Sequence, residues 1–283
     1  MQQFRKVYVG DQATASSKVY ALLQEQLALG DHLAVLAVLV DKVVVNLKLR
    51  CNCADITEKT LLLLADLAGG YSSGKMLLKL EAVHLVLAKH TEFPFLGAAV
   101  HGGQGRMRTS FYSTLCKLLF ADEHNLRFKT FMEPFTALLT ELSENVSLEM
   151  FREERVRTAL VGALRDLRGI ASACTNRRTY GLFFEWVYPA FTPVLQLAAR
   201  THFADPEVLN PLLKLYGELV HNKGQRLVFD ASSPNGILLF RDASAIVVTY
   251  GTRVLEQPAA DVAADPYRLR YKGISQCLVL LTR

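Results

Sequence analysis

The chain has 283 residues, 51% hydrophobic and 21% charged, which is enough apolar material for a large core and excludes a disordered chain. Its net charge of +5 comes from 32 basic and 27 acidic residues spread along the sequence, with no dense basic face, so no nucleic-acid partner is expected. Five cysteines with one C-x-C and no C-x-x-C spacing suggest neither a disulfide framework nor a zinc site, and nothing in the chain asks for a cofactor.

The first residues, MQQFRKVYVGDQ, are polar and lack the apolar core of a secretory signal, which leaves Asn145-Val146-Ser147 an idle glycosylation sequon. Apolar residues then recur at helical spacing and predict helices over about 18–29, 32–50, 58–68, 73–90, 107–120, 126–146, 149–174, 179–201, 211–222, 234–256 and from 266 onward. No stretch reads as a strand. Start signals are Asp31 after Gly30, the box Asp55-x-x-Glu58, and three cap-plus-proline pairs, Asn210-Pro211, Ser233-Pro234 and Asp265-Pro266. Stop signals stand at Gly30, Gly69-Gly70 and Lys223-Gly224.

Gly181 to Ala199 is long enough to span a membrane, but Glu185, Pro189 and Pro193 make it a buried, interrupted helix instead, and no membrane span is expected. Taken in pairs, the helices begin new units near 18, 58, 107, 152, 211 and 266. That spacing predicts an all-α fold, an α-solenoid of about five and a half HEAT-like antiparallel helix pairs running as one continuous segment over 1–283. The last residues, YRLRYKGISQCLVLLTR, are still apolar and helical, so the solenoid reads as an open-ended fragment of a longer protein.

Few stretches resemble chemistry. Gly69-Gly70-Tyr71-Ser72-Ser73-Gly74-Lys75 satisfies both a phosphate-loop and a nucleophile-elbow pattern, which keeps a hydrolase or NTPase as a distant alternative. Both patterns need a strand before the loop, and Met76 stands where a phosphate loop needs Ser or Thr for magnesium, so a turn ending a helix is expected and no enzyme. His101 to Arg106 reads as a link between helices, and the seven histidines show no metal-binding spacing. His221 sits where it would meet the last carbonyls of a helix. Arg165 and Arg168, beside the apolar stripe Val161, Leu164, Leu167 and Ile170, suit either an acidic partner or a polar ladder between repeats, the ladder being favoured. Phe183, Phe184, Trp186, Tyr188 and Phe191 read as core.

The blocks Gly69-Gly70-Tyr71-Ser72-Ser73, Arg165-Asp166-Leu167-Arg168-Gly169-Ile170-Ala171, Phe184-Glu185-Trp186-Val187-Tyr188-Pro189 and Glu218-Leu219-Val220-His221-Asn222 are distinctive. So is Gln225-Arg226-Leu227 with Phe229-Asp230, running on to Ser232-Ser233-Pro234-Asn235-Gly236-Ile237-Leu238-Leu239-Phe240-Arg241. Together, and in this order, they resemble the exportin-7 family of nuclear transport receptors in the importin-β (karyopherin) superfamily. The resemblance runs from about residue 31 to 280, is weak over 1–30, departs from the family pattern around His101 to Arg106, and looks like a piece of the family's C-terminal half.

The resemblance implies a nuclear export receptor segment that works by protein binding. Its partners would be Ran-GTP through the full-length receptor, protein cargo and nuclear pore proteins, and it would shuttle between nucleus and cytoplasm through the nuclear pore. A cytoplasmic scaffold of the same fold with no transport role is the alternative. Arg165, Arg168, Arg226 and Arg241 are the candidate partner contacts; Ser233, Pro234, Asn210, Pro211, Asp265 and Pro266 are expected to cap helices.

Overall fold

Helix follows helix through the chain. The computed structural model describes residues 22, 25–28, 31–97, 104–122, 127–144, 149–230, 232–258 and 264–283. The expected helix at 18–29, the loop at 101–103 and the sequon at 145–147 lie wholly or mostly outside the described residues. The helices are α1 (His32–Leu49), α2 (Ala54–Ala68), α3 (Tyr71–Leu77), α4 (Glu81–Ala88), α5 (Gln104–Ala121), α6 (Phe128–Glu144), α7 (Glu154–Ala173), α8 (Arg177–Val187), α9 (Thr192–Thr201), α10 (Pro206–Leu219), α11 (Asn235–Glu256) and α12 (Lys272–Leu281), with a π-helical turn at Tyr267–Tyr271 leading into the last. Among the described residues there is no strand, and none of the helices is long and apolar enough to cross a membrane. The fold class is all-α, as the spacing predicts.

The chain divides into two compact units, residues 1–132 and 133–283. In the first, α1 starts where Asp31 accepts a hydrogen bond from the Ala34 amide at 2.8 Å. It buries one face, from Val35 and Leu36 to Leu47, against α2. Asn46 near the end of α1 donates to Thr60 in the first half of α2 at 3.1 Å, so the two helices form an antiparallel pair across the short link at 50–53. The Asp55/Glu58 box is not the cap: α2 begins at Ala54 after Cys53, and Asp55 instead pairs with Lys59 on the exposed face. The single helix expected over 73–90 is two, α3 and α4, bent at 78–80; no Gly or Pro marks the bend, which buries both Leu77 and Leu80.

In the second unit, α7, α10 and α12 lie side by side and run in the same direction. Arg157 at the start of α7 meets Asp205 at the start of α10, while Lys223 just past α10 reaches the Ser172 carbonyl near the end of α7. Likewise Arg268 meets Glu207 where α10 begins, and Arg283 reaches the Gly217 carbonyl where α10 ends. Helices α8, α9 and α11 are the returning members, α9 packing on α11 with Gln196 donating to Asp242 at 2.9 Å. The stretch expected as one interrupted helix over 179–201 is α8 and α9, separated at a cis Tyr188–Pro189 bond, with Pro193 in the first turn of α9 where its missing amide costs nothing.

The Asn210-Pro211 cap is a correction. Helix α10 begins one turn and more earlier, at the cap-plus-proline pair Asp205-Pro206, and both Asn210 and Pro211 are buried inside it. The Asp205 carboxylate accepts the Glu207 amide at 2.9 Å and takes a bidentate grip from Arg157 at 2.5 and 3.2 Å. Asn210 turns its side chain back to donate to the Pro206 carbonyl. Burial works against ionisation of Asp205, but Arg157 and the amide outweigh it and hold the carboxyl below its usual range. Asp205→Ala is therefore expected to cost about 1–2 kcal/mol, the usual worth of a lost N-cap, measured by urea unfolding at neutral pH. Because the folded pKa is depressed, the wild-type advantage is present above the normal carboxylate range and shrinks as the pH falls through it. An advantage that stays constant down to acid pH would refute the assignment.

Ser233 accepts the Asn235 amide at 3.3 Å, with Pro234 standing at the cap of α11. Asp265 accepts the Arg268 amide at 3.0 Å, with Pro266 beginning the helical turn. Asp265 acts as the sequence predicts, whereas α11 takes Pro234 itself as its cap residue with no side-chain cap hydrogen bond, and Ser233 stands one residue before it.

Candidate functional site

The corner from Glu218 to Arg241 joins α10 to α11, and its centre is a cation inside the protein. Arg226 is fully buried. All five of its N–H donors are used: Nε on the His221 carbonyl at 2.9 Å, Nη1 on the Ala171 and Cys174 carbonyls at 2.7 and 2.5 Å, and Nη2 on the Glu218 carbonyl and on its carboxylate at 3.2 Å. The guanidinium also lies 5.0 Å from the centre of the Tyr180 ring, whose hydroxyl donates to the Leu219 carbonyl at 2.7 Å. Lys223 completes the set, donating to the Glu218 carboxylate at 2.8 Å and to the Ser172 carbonyl at 2.6 Å.

The last carbonyls of two helices, α7 and α10, are thus satisfied by two basic side chains borne on the turn after α10. Arg226 and Lys223 do the work expected of His221. The turn needs left-handed backbone at Gly224 (φ 61°) and Gln225 (φ 55°), and a Cβ on Gly224 would come within 2.9 Å of the Thr175 carbonyl.

The four candidate partner contacts are not brought together. Arg226 is corrected outright: a side chain with no exposed surface offers nothing to a partner. Arg165 is mostly buried and contacts Glu207 at 3.4 Å; Glu207 also receives Arg268 at 3.0 Å, so the three residues form a polar ladder across α7, α10 and the last helical turn. Arg168 is half-buried, with burial lowering its pKa against the pull of Glu218. Arg241 is exposed, its side chain 66% so, with Nε 3.2 Å from the buried Asp242 carboxylate.

Arg241 stands on the helix that carries a surface the sequence did not reveal. Ile237, Phe240, Val248 and Leu255 of α11 are 75%, 73%, 65% and 77% exposed. At about 100° per residue they fall in a strip roughly 80° wide along the helix. The opposite face, Leu239, Ala243, Ile246, Tyr250 and Val254, is buried. A helix apolar on both faces reads in sequence as simply hydrophobic, and which face meets water is decided by its neighbours.

The glycine motifs lose their chemical reading. Gly69 caps α2, Gly70 precedes α3, and the rest of the motif, Tyr71 to Lys75, lies in α3, with Ser73 donating back to the Leu67 and Gly70 carbonyls. Among the described residues no group of His, Cys, Asp and Glu is placed to hold a metal ion.

Helix pairs, parallel neighbours with their ends tied by basic residues, and an outward apolar strip define the class: an all-α helical-repeat protein of the α-solenoid type. Residues 1–104 match the family described as Exportin-7-like, TPR domain. The chain is 45% identical over 289 aligned residues to Exportin-7-B of Xenopus laevis, 42% identical to Ran-binding protein 17 of Homo sapiens and 37% identical to Exportin-7 of Dictyostelium discoideum. These alignments cover 99%, 98% and 100% of this chain and 26%, 26% and 28% of the relatives. The chain is thus similar along nearly its whole length to a segment of exportin-7 and Ran-binding protein 17, and it spans about a quarter of the length of these relatives. TPR and HEAT units are both helix pairs, so the family description and the pair spacing agree on architecture.

Proposed function

We propose that this chain is a segment of a nuclear export receptor, one continuous solenoid stretch that binds proteins and catalyses nothing. The observation that carries the reading is the identity of 42–45% to exportin-7 and Ran-binding protein 17 over 98–99% of the chain. Ran-GTP and protein cargo are its partners through the whole receptor, nuclear pore proteins are met in transit, and the receptor shuttles between nucleus and cytoplasm. Within the segment, Arg241 and the exposed strip of α11 are the partner-facing features. Arg165, Arg168 and Arg226 serve the fold.

The switch is conformational: GTP-bound Ran favours one curvature of the solenoid, and cargo binds that state better, a reciprocal coupling typically of about 5- to 150-fold. The expected result is that a tagged receptor containing this segment recovers cargo from a cell extract in the presence of Ran loaded with GTP and several-fold less with Ran loaded with GDP. Equal recovery in the two states would sink the reading.

A further inference from the structure

The first unit contains a cleft that the transport reading does not use. It lies among the bend between α3 and α4, the end of α5 and the start of α6, and two adjoining cavities of about 420 and 350 Å³ share His84, Leu87, Leu119 and Arg127 as lining residues. The floor is apolar, formed by Leu87 and Leu119 with Leu78 beside them. The walls carry Lys75 and Arg127 against one acid, Asp122. Arg127 is exposed and, among the described residues, makes no ion pair; its Nη1 donates to Nδ1 of His84. That bond orients the guanidinium, and among the described residues its other donors meet no carboxylate. A fork-shaped cation above a leucine floor complements a carboxylate beside a branched apolar side chain.

We infer that this cleft is a docking site for a short acidic–apolar segment of a protein partner, with a Glu or Asp carboxylate on Arg127 and a neighbouring leucine over Leu78, behind which Leu87 and Leu119 are buried. The site is separate from the proposed Ran dependence, and its test contains no Ran and no transport component. Fluorescence anisotropy is measured with the full chain and labelled octapeptides alternating Glu–Leu, Gln–Leu, Lys–Leu or phosphoserine–Leu. The Glu–Leu peptide is expected to bind in a salt-weakened manner, and the Gln–Leu and Lys–Leu peptides about tenfold more weakly or worse. Arg127→Glu is expected to lose about tenfold or more for Glu–Leu, with Arg127→Lys intermediate. Ala88→Glu, which places a carboxylate on the exposed wall beside the floor, should also weaken it. Circular-dichroism melting of each variant confirms that the fold is kept. No binding of Glu–Leu, equal binding of Gln–Leu, undiminished binding to well-folded Arg127→Glu, or binding of the phosphoserine peptide alone would each overturn the inference.

Discussion

Arg226→Ala is expected to destabilise the second unit by about 3–5 kcal/mol, the cost of removing one partner from a buried ion pair. The alanine leaves the Glu218 carboxylate, 11% exposed, with Lys223 alone, and it takes away the buried bonds to the Ala171 and Cys174 carbonyls and the part-buried bond to His221. Each buried acceptor left unmade costs about 1–3 kcal/mol on its own, though shared relaxation keeps the sum below simple addition. Lysine is no substitute. Its ammonium is a compact donor with no planar fork, and it would have to choose among acceptors that the guanidinium joins at once, so Arg226→Lys should fall nearer to alanine than to wild type. Urea unfolding followed by circular dichroism measures both variants. A loss under about 1 kcal/mol for Arg226→Ala would show that the corner does not depend on this residue.

Acid should weaken the first unit through His90. This imidazole is 2% exposed, stacked on Phe131 with ring centres 4.1 Å apart, and held between the Tyr112 hydroxyl at 3.2 Å and the Phe131 carbonyl at 3.0 Å. The carbonyl accepts from Nε2–H, which leaves Nδ1 to accept from the tyrosine and fits a neutral ring. Burial lowers its pKa to about 4, only partly opposed by the Phe131 carbonyl. Above pH 6.5 neither the folded nor the unfolded chain protonates this group and it contributes no pH dependence. Between 6.5 and 4 the unfolded chain takes up the proton and the folded one does not, so stability falls with falling pH by about 3 kcal/mol in all. Below 4 the loss is complete. His90→Gln should remove this component, so the stability difference between wild type and variant is expected to narrow by about that amount between pH 7 and pH 4. A difference that stays constant across the range would sink the assignment.

Much of the architecture was legible from local signals because those signals act locally. Asp31 and Asp265 cap helices because a short side chain reaches an amide three residues on, whatever the rest of the fold does. Asn210-Pro211 misled because Asp205-Pro206 offers the same pairing one turn earlier, and Arg157, 48 residues upstream, decides between them. The bend at 78–80 carries no breaker residue, so only the burial of Leu77 and Leu80 explains it.

Arg226 was the plainest misreading. Arginine is rarely buried without partners, and here the partners are mostly carbonyls of other segments, at Ala171 and Cys174, to which no side-chain pattern points. The exposed strip of α11 was hidden for the opposite reason: its apolar residues look like core until the neighbouring helices show which side is covered. The family resemblance, by contrast, rested on ordered blocks of residues, and the identity along the chain bears it out.

The common direction of α7, α10 and α12 has an electrostatic consequence. Each helix carries a partial positive charge at its start and a partial negative charge at its end, equivalent to about half an elementary charge, and helices laid side by side in one direction oppose each other at both edges. One edge of the layer accordingly holds the acids Glu154, Asp205, Glu207 and Asp265, paired in part with Arg157 and Arg268, and the other holds the cations Lys223, Arg226 and Arg283 around the Glu218 carboxylate. The layer behaves as a polarised plate whose edges are discharged by opposite sets of side chains. Screening by salt weakens exposed contacts such as that of Glu154 with Arg157 first and leaves the buried Arg226 nearly untouched.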